Sequence, residues 1–148
     1  MHEEQNSGPH LAMALLCDRV LQERDGVLSL IRVVDRFTIP GTTKEMPPSP
    51  LQTTLVIAFK SGATTGKHTV KLRPVKPSGE SMPEQEFPAL FEGRDRGIGI
   101  VAQIAFMLDE EGLYWIDVFF EEAVVTRIPM MVLYQRVAQA SRPEASHP

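Results

Sequence analysis

The sequence predicts a mostly-β fold, an antiparallel β-sandwich of about seven strands. Three observations carry that reading. Apolar residues recur with period two rather than 3.6 along most of the chain. Turn signals separate the alternating runs. Hydrophobic residues make up 43% of 148, enough to fill a single core.

The ends are set apart first. Residues 1–10, with Gly8-Pro9, and residues 141–148, with Pro143 and Pro148, are polar and read as disordered tails. They flank one domain over 11–140. Within it, Leu11–Leu21 and Leu28–Ile39 form a hairpin around Asp25-Gly26. In the second run Ile31, Val33, Phe37 and Ile39 share one side, and Arg32, Val34, Arg36 and Thr38 the other. Pro40-Gly41 stops it, and residues 40–50, with four prolines, form a loop.

Leu51–Lys60 places Thr53, Leu55, Ile57 and Phe59 on one face. Ser61–Gly66 is small and polar, a loose hairpin turn. In Lys67–Arg73, His68, Val70 and Leu72 point inward, while Lys67, Thr69, Lys71 and Arg73 meet solvent. From Pro74 to Gly97 no period is sustained, with room for a short edge strand or a turn of helix near Phe87–Phe91. Ile98, Ile100, Ala102, Ile104, Phe106 and Leu108 then alternate strictly. Asp109–Gly112 is the next turn. Tyr114, Ile116, Val118 and Phe120 face the core, with Trp115, Asp117 and Phe119 opposite. The last run, Ala123–Tyr134, sets Val124, Ile128, Met130 and Val132 on one face. Pro129 within it marks an edge strand or a bulge.

Glu110-x-Gly112-x-Tyr114 resembles the tyrosine corner of immunoglobulin-like sandwiches, with Ile116 where antibody domains carry a cysteine. An ordinary half-buried tyrosine is the competing reading. The resemblance makes the expected sandwich immunoglobulin-like.

Motifs that carry chemistry are few. Gly62-Ala-Thr-Thr-Gly66-Lys67-His68 misses the phosphate-binding loop by one spacer residue and by its hydroxyl, and it leads into a strand. Gly97-Ile98-Gly99 also enters a strand, the wrong context for a dinucleotide loop. Cys17 lies in an apolar run and reads as a small hydrophobe. As the sole cysteine it cannot form an intrachain disulfide. His2, His10, His68 and His147 show no metal-ligand spacing. Asp109, Glu110 and Glu111 read as solvated turn residues rather than calcium ligands. Asp18 and Asp35 interrupt apolar patterns, so each is expected to be paired, and Asp35 to be partly buried.

The segments Ala14-Leu-Leu-Cys-Asp18 and Gly26-Val-Leu-Ser-Leu-Ile31, the proline loop, Gly112-x-Tyr114 and Arg127-Ile-Pro129 are similar to a family of small uncharacterised bacterial proteins. The resemblance covers most of residues 12–134. It implies a bacterial cytosolic β-sandwich and assigns no functional residue.

These readings converge on a non-enzymatic binding or assembly module with an unknown protein partner. The alternative is a small-molecule or carbohydrate-binding sandwich using Trp115, Phe119 and loop residues. No catalytic, cofactor or metal residue is expected. The expected interface residues are Trp115, Phe119, Lys67, Lys71 and Arg73. The last three form, with Lys76, a basic stripe suited to an acidic partner. The net charge of −4 and pI of about 5.6 argue against nucleic acid. The sequence shows neither a signal-peptide pattern nor an apolar run of about 20 residues, so the expected setting is cytoplasmic, with no membrane contact. Trp115 and Phe119, if left outside the core, call for cover by the 74–97 segment or by a second copy in a homodimer.

Overall fold

The computed structural model describes residues 8–94 and 96–138. Of the tails expected at 1–10 and 141–148, residues 1–7 and 141–148 lie outside the described residues, and His10 already opens the first strand. Nine strands follow one another: β1 (His10–Gln22), β2 (Leu28–Val34), β3 (Arg36–Gly41), β4 (Ser49–Lys60), β5 (Thr65–Val75), β6 (Gln85–Glu92), β7 (Gly97–Leu108), β8 (Gly112–Phe120) and β9 (Ala123–Arg136). They form two sheets, ordered β2-β1-β4-β7 and β3-β9-β8-β5-β6. The core lies between them. Leu16, Leu55, Ile57 and Phe59 of the first sheet meet Val70, Leu72, Tyr114, Ile116 and Met130 of the second. Every pairing is antiparallel except β3 with β9, which is parallel.

The count exceeds seven for two reasons. Of the two alternatives near Phe87–Phe91, an edge strand or a turn of helix, the segment after Pro74 contains the strand, β6. The run Leu28–Ile39 is two strands, because the chain changes sheets at Asp35. That crossing corrects several expectations. Arg32 adopts a left-handed backbone, φ 57°, which resets the alternation: Val33 turns outward and Val34 packs on the core. Asp35 is exposed, and its carboxylate has no partner among the described residues. Only its backbone carbonyl is used, accepting from Met131 N–H at 2.9 Å. A residue at a crossing between sheets belongs to neither face, so the apolar neighbours two positions away did not bury it. Asp18 is paired, with Arg32 at 3.0 Å, but at the surface.

Two further corrections have the same origin in topology. Ser61–Gly66 is not a hairpin turn, since β4 and β5 belong to different sheets and the segment bridges them. A bulge between Val118 and Phe119 shifts the β8–β9 register. Val124 therefore points to solvent, while Ile128, Met130 and Val132 stay inside. Pro129 lies beyond the start of the β3 ladder, which begins at Met131. β9 is locally an edge there, so the missing N–H costs no ladder bond.

The corner motif closes as its sequence suggested. The fully buried Tyr114 donates its hydroxyl proton to the Glu110 carbonyl at 2.9 Å, and its oxygen accepts from Glu110 N–H at 3.1 Å. Burial pushes the phenol above its usual range. Ile116 is buried in the core.

A candidate interaction surface on the five-stranded sheet

The residues singled out from sequence meet on one face, the outer side of β5 and β8. The ladder sets Lys71 beside Phe119, Arg73 beside Asp117 and Val75 beside Trp115. Period two then puts Lys67 on the same face, opposite Leu90 of the edge strand β6.

Their surroundings differ from the expected stripe and open aromatic pair. Phe119 is only 9% exposed although it points away from the core. The Arg73 guanidinium lies over its ring, 4.7 Å from the centroid, a favourable cation–π position. Arg73 is held there by Glu84, with Nε at 2.9 Å and Nη2 at 2.6 Å from Oε1. The 74–97 segment thus contributes Glu84 as an anchor rather than folding over the aromatics. Trp115, between Val75 and Pro129, is half-buried.

Asp117 is 5% exposed on this face. Burying a carboxylate is costly unless it is paired. Arg127, its cross-strand partner, supplies a fork: Nε to Oδ1 at 2.8 Å and Nη2 to Oδ2 at 3.3 Å. The carboxylate in turn pushes the Arg127 guanidinium pKa up. This fork was missed in the sequence. A constant index sum counted from the Phe120–Ala123 turn pairs Asp117 with Thr126, and only the bulge at Val118/Phe119 shifts the register by one to bring Arg127 opposite.

The basic stripe is largely neutralised within the chain. Lys71 binds Glu122 at 3.1 Å, and that hydrogen bond pushes its pKa up. Lys76 binds Asp109 at 3.1 Å and Glu80 at 3.5 Å. Lys67 has no ion pair among the described residues. The acidic turn is structural: Asp109 holds Lys76, Glu110 accepts from Ser78 at 3.1 Å, and Glu111 accepts from Tyr134 N–H at 3.2 Å. Among the described residues no three His, Cys, Asp or Glu side chains gather as metal ligands. Cys17 is buried, and desolvation pushes its thiol pKa up. That environment opposes the thiolate.

The four-stranded sheet carries a cavity. β1 leaves β4 after the pair Cys17–Thr54. The carbonyls of Cys17 and Asp18 freed there are caught by the hydroxyls of Thr53 at 3.3 Å and Thr54 at 3.5 Å. The β1–β2 hairpin then doubles back over the outer face of its own sheet. Its Leu28 reaches Gly99 of β7. A groove of about 640 Å³ remains beneath the hairpin, lined by Met13, Leu28, Ala58, Gly97, Gly99 and Val101 among others. Gly97 and Gly99, which have no side chains, keep the floor of this groove low.

Two sheets around one core, a last strand joined in parallel by the strand that crosses between sheets, and a closed tyrosine corner define an immunoglobulin-like β-sandwich. The chain belongs to the family described as "Family of unknown function (DUF6941)", whose model matches residues 12–133. Among solved structures it is similar to an immunoglobulin-like protein from Pseudomonas aeruginosa. The two share 13% identity, over 86% of this chain and 98% of that one, with a TM-score of 0.41. No curated protein sequence matches it. No helix of the described residues is long and apolar enough to cross a membrane.

Proposed function

We propose that the protein is a non-catalytic binding module that docks a protein partner on the outer face of the five-stranded sheet. The observation that carries this reading is the fixed layer of Trp115, Phe119, Arg73 and Arg127. Aromatic and arginine side chains are the usual anchors of protein interfaces. Here Glu84 holds Arg73 over Phe119 and Asp117 holds Arg127, so these two arginines have less side-chain entropy to lose on binding. Met131 and Leu133 of β9 extend the layer with apolar surface, and Lys67, which has no ion pair among the described residues, supplies a basic rim beside the Lys71–Glu122 pair. That rim favours a partner with acidic residues around an apolar centre.

The carbohydrate-binding alternative is less well supported. Stacking on a sugar needs an open ring face, and Arg73 occupies the outward face of Phe119.

The test is chemical cross-linking in the native host, followed by purification of the parent chain and of Trp115→Ser. The expected result is one stoichiometric partner on the parent, cross-linked through Lys67 or Lys71 and lost from the variant. A partner retained equally by both chains would refute the assignment of this face.

A further inference from the structure

Among the described residues the sandwich has four edge strands, and three are protected. β2 is 7 residues long and carries the left-handed Arg32. β3 has 6 residues and contains Pro40. β6 has Pro88 at its middle, with Glu86 and Glu92 outward. Short length, proline and charge are the usual means of blocking edge-to-edge pairing. β7 has none of them. Its 12 residues, Gly97–Leu108, include neither a charge nor a proline, and it has a ladder to β4 alone.

The outward row of this strand is also self-complementary. At one end Gly99 and Val101 form part of the groove under the hairpin arm. At the other end Met107 stands 51% exposed. We propose that β7 pairs antiparallel with β7 of a second copy, each Met107 entering the other's groove over Gly99. The register follows from that match. Gly99 opposite Met107 requires Gln103 to lie opposite itself on the two-fold axis and Val101 opposite Ala105. All of these residues share the outer face, as strand pairing demands. The interface is isologous, and the two four-stranded sheets become one of eight strands.

Charge supports a second copy as the occupant. Lys60, beside Gly97, and Glu110, after Leu108, have no ion pair among the described residues, while Arg96 and Asp109 at the same ends are already held by Glu92 and Lys76. Antiparallel pairing brings the basic end of each copy to the acidic end of the other. Parallel pairing would place like charges together. The surface is distinct from the one proposed for the partner protein, so either can fail alone.

The test uses the full chain at about 50 µM, well above a micromolar dissociation constant, with mass read by light scattering and sedimentation. The parent is expected at dimer mass. Met107→Lys and Gly99→Val are each expected to lower the association constant at least tenfold while leaving the melting profile of the monomer intact. At Gly99 an added Cβ meets only Leu28, at ordinary contact distance, 3.6 Å, so the backbone leaves room for a first side-chain carbon, and the melting profile of the monomer reports whether the whole valine is accommodated. Gln103→Cys is expected to give a covalent dimer on mild oxidation that reverts on reduction, and Trp115→Ser to remain dimeric. A monomeric parent overturns the proposal. So does a dimer that survives Met107→Lys, or one that Gln103→Cys fails to trap.

Discussion

Tyr114→Phe isolates the corner that locks β8 to the turn before it. Phenylalanine keeps the ring, so the buried volume is nearly unchanged and no cavity opens. What is lost is the hydroxyl, which donates at 2.9 Å to the Glu110 carbonyl and accepts at 3.1 Å from Glu110 N–H. A neutral hydrogen bond contributes about 1 kcal/mol net. Glu110 is only partly buried, so water replaces some of each bond. The expected loss is about 1–2 kcal/mol, which for a chain of this size lowers Tm by about 2–8 °C. Urea unfolding followed by Trp115, the only tryptophan, measures it, with the midpoint moving and the slope unchanged. A second readout comes from pH. The folded-state pKa of Tyr114 is raised, so its contribution is complete below the unfolded value of about 10 and fades as pH rises past it. The parent should therefore lose stability more steeply than Tyr114→Phe above that pH. A variant within about 0.5 kcal/mol of the parent, a difference too small for two intact bonds, with an identical alkaline limb would refute the corner as a stabilising element.

Three other perturbations follow from particular contacts. Gly41→Ala drives a methyl into the Tyr134 ring, which is buried and tied to Thr43 by its hydroxyl at 2.8 and 3.0 Å; overpacking of this kind should cost about 1–3 kcal/mol in urea unfolding. Arg127→Ala strands the buried Asp117 carboxylate. The arginine itself is largely exposed, which lets water reach the site, so calorimetry should show a loss of about 1–2 kcal/mol rather than the full cost of an orphaned buried charge. Glu121 accepts from Thr69 N–H and from His68, each at 3.0 Å, and the Thr69 hydrogen bond, then His68, holds its pKa below the usual value. A depressed folded pKa contributes stability above the unfolded value of about 4.3 that is lost as pH falls through and below it. Acid unfolding should therefore be shallower in Glu121→Gln than in the parent.

Alternation alone made much of the core legible. Period two puts Leu55, Ile57 and Phe59 on one face of their strand, Val70 and Leu72 on one face of the next, and the Tyr114–Phe120 set toward the core, and all of them lie on the core side. The places where this reading failed are those where the chain leaves a simple ladder. Arg32 and Asp35 reset the face of β2 and β3, the β8–β9 bulge turned Val124 outward, and Ser61–Gly66 crossed between sheets. A local period cannot register a change of sheet, because the residues on either side keep alternating while the reference plane changes. The interface residues fared similarly. That Trp115, Phe119, Lys71 and Arg73 share a face follows from parity and pairing. That Arg73 caps Phe119, and that Glu84 holds it, depends on where the irregular 74–84 segment brings a carboxylate, and no period encodes that.

The two surfaces proposed for binding explain why motif reasoning has so little purchase on this chain. A catalytic loop or metal site concentrates its residues in one or two short segments, so spacing betrays it. The outer layer of the five-stranded sheet draws one residue in two from three or more strands, and ten positions separate Asp117 from Arg127. The β7 edge offers backbone groups, which every sequence possesses. What distinguishes it is an omission, twelve residues free of charge and proline beside three edges that are protected. An unguarded edge exposes unpaired N–H and C=O groups to any passing strand. A specific partner of matching register removes that liability. The knob at Met107 and the groove over Gly99 are one strand's two halves of such a match.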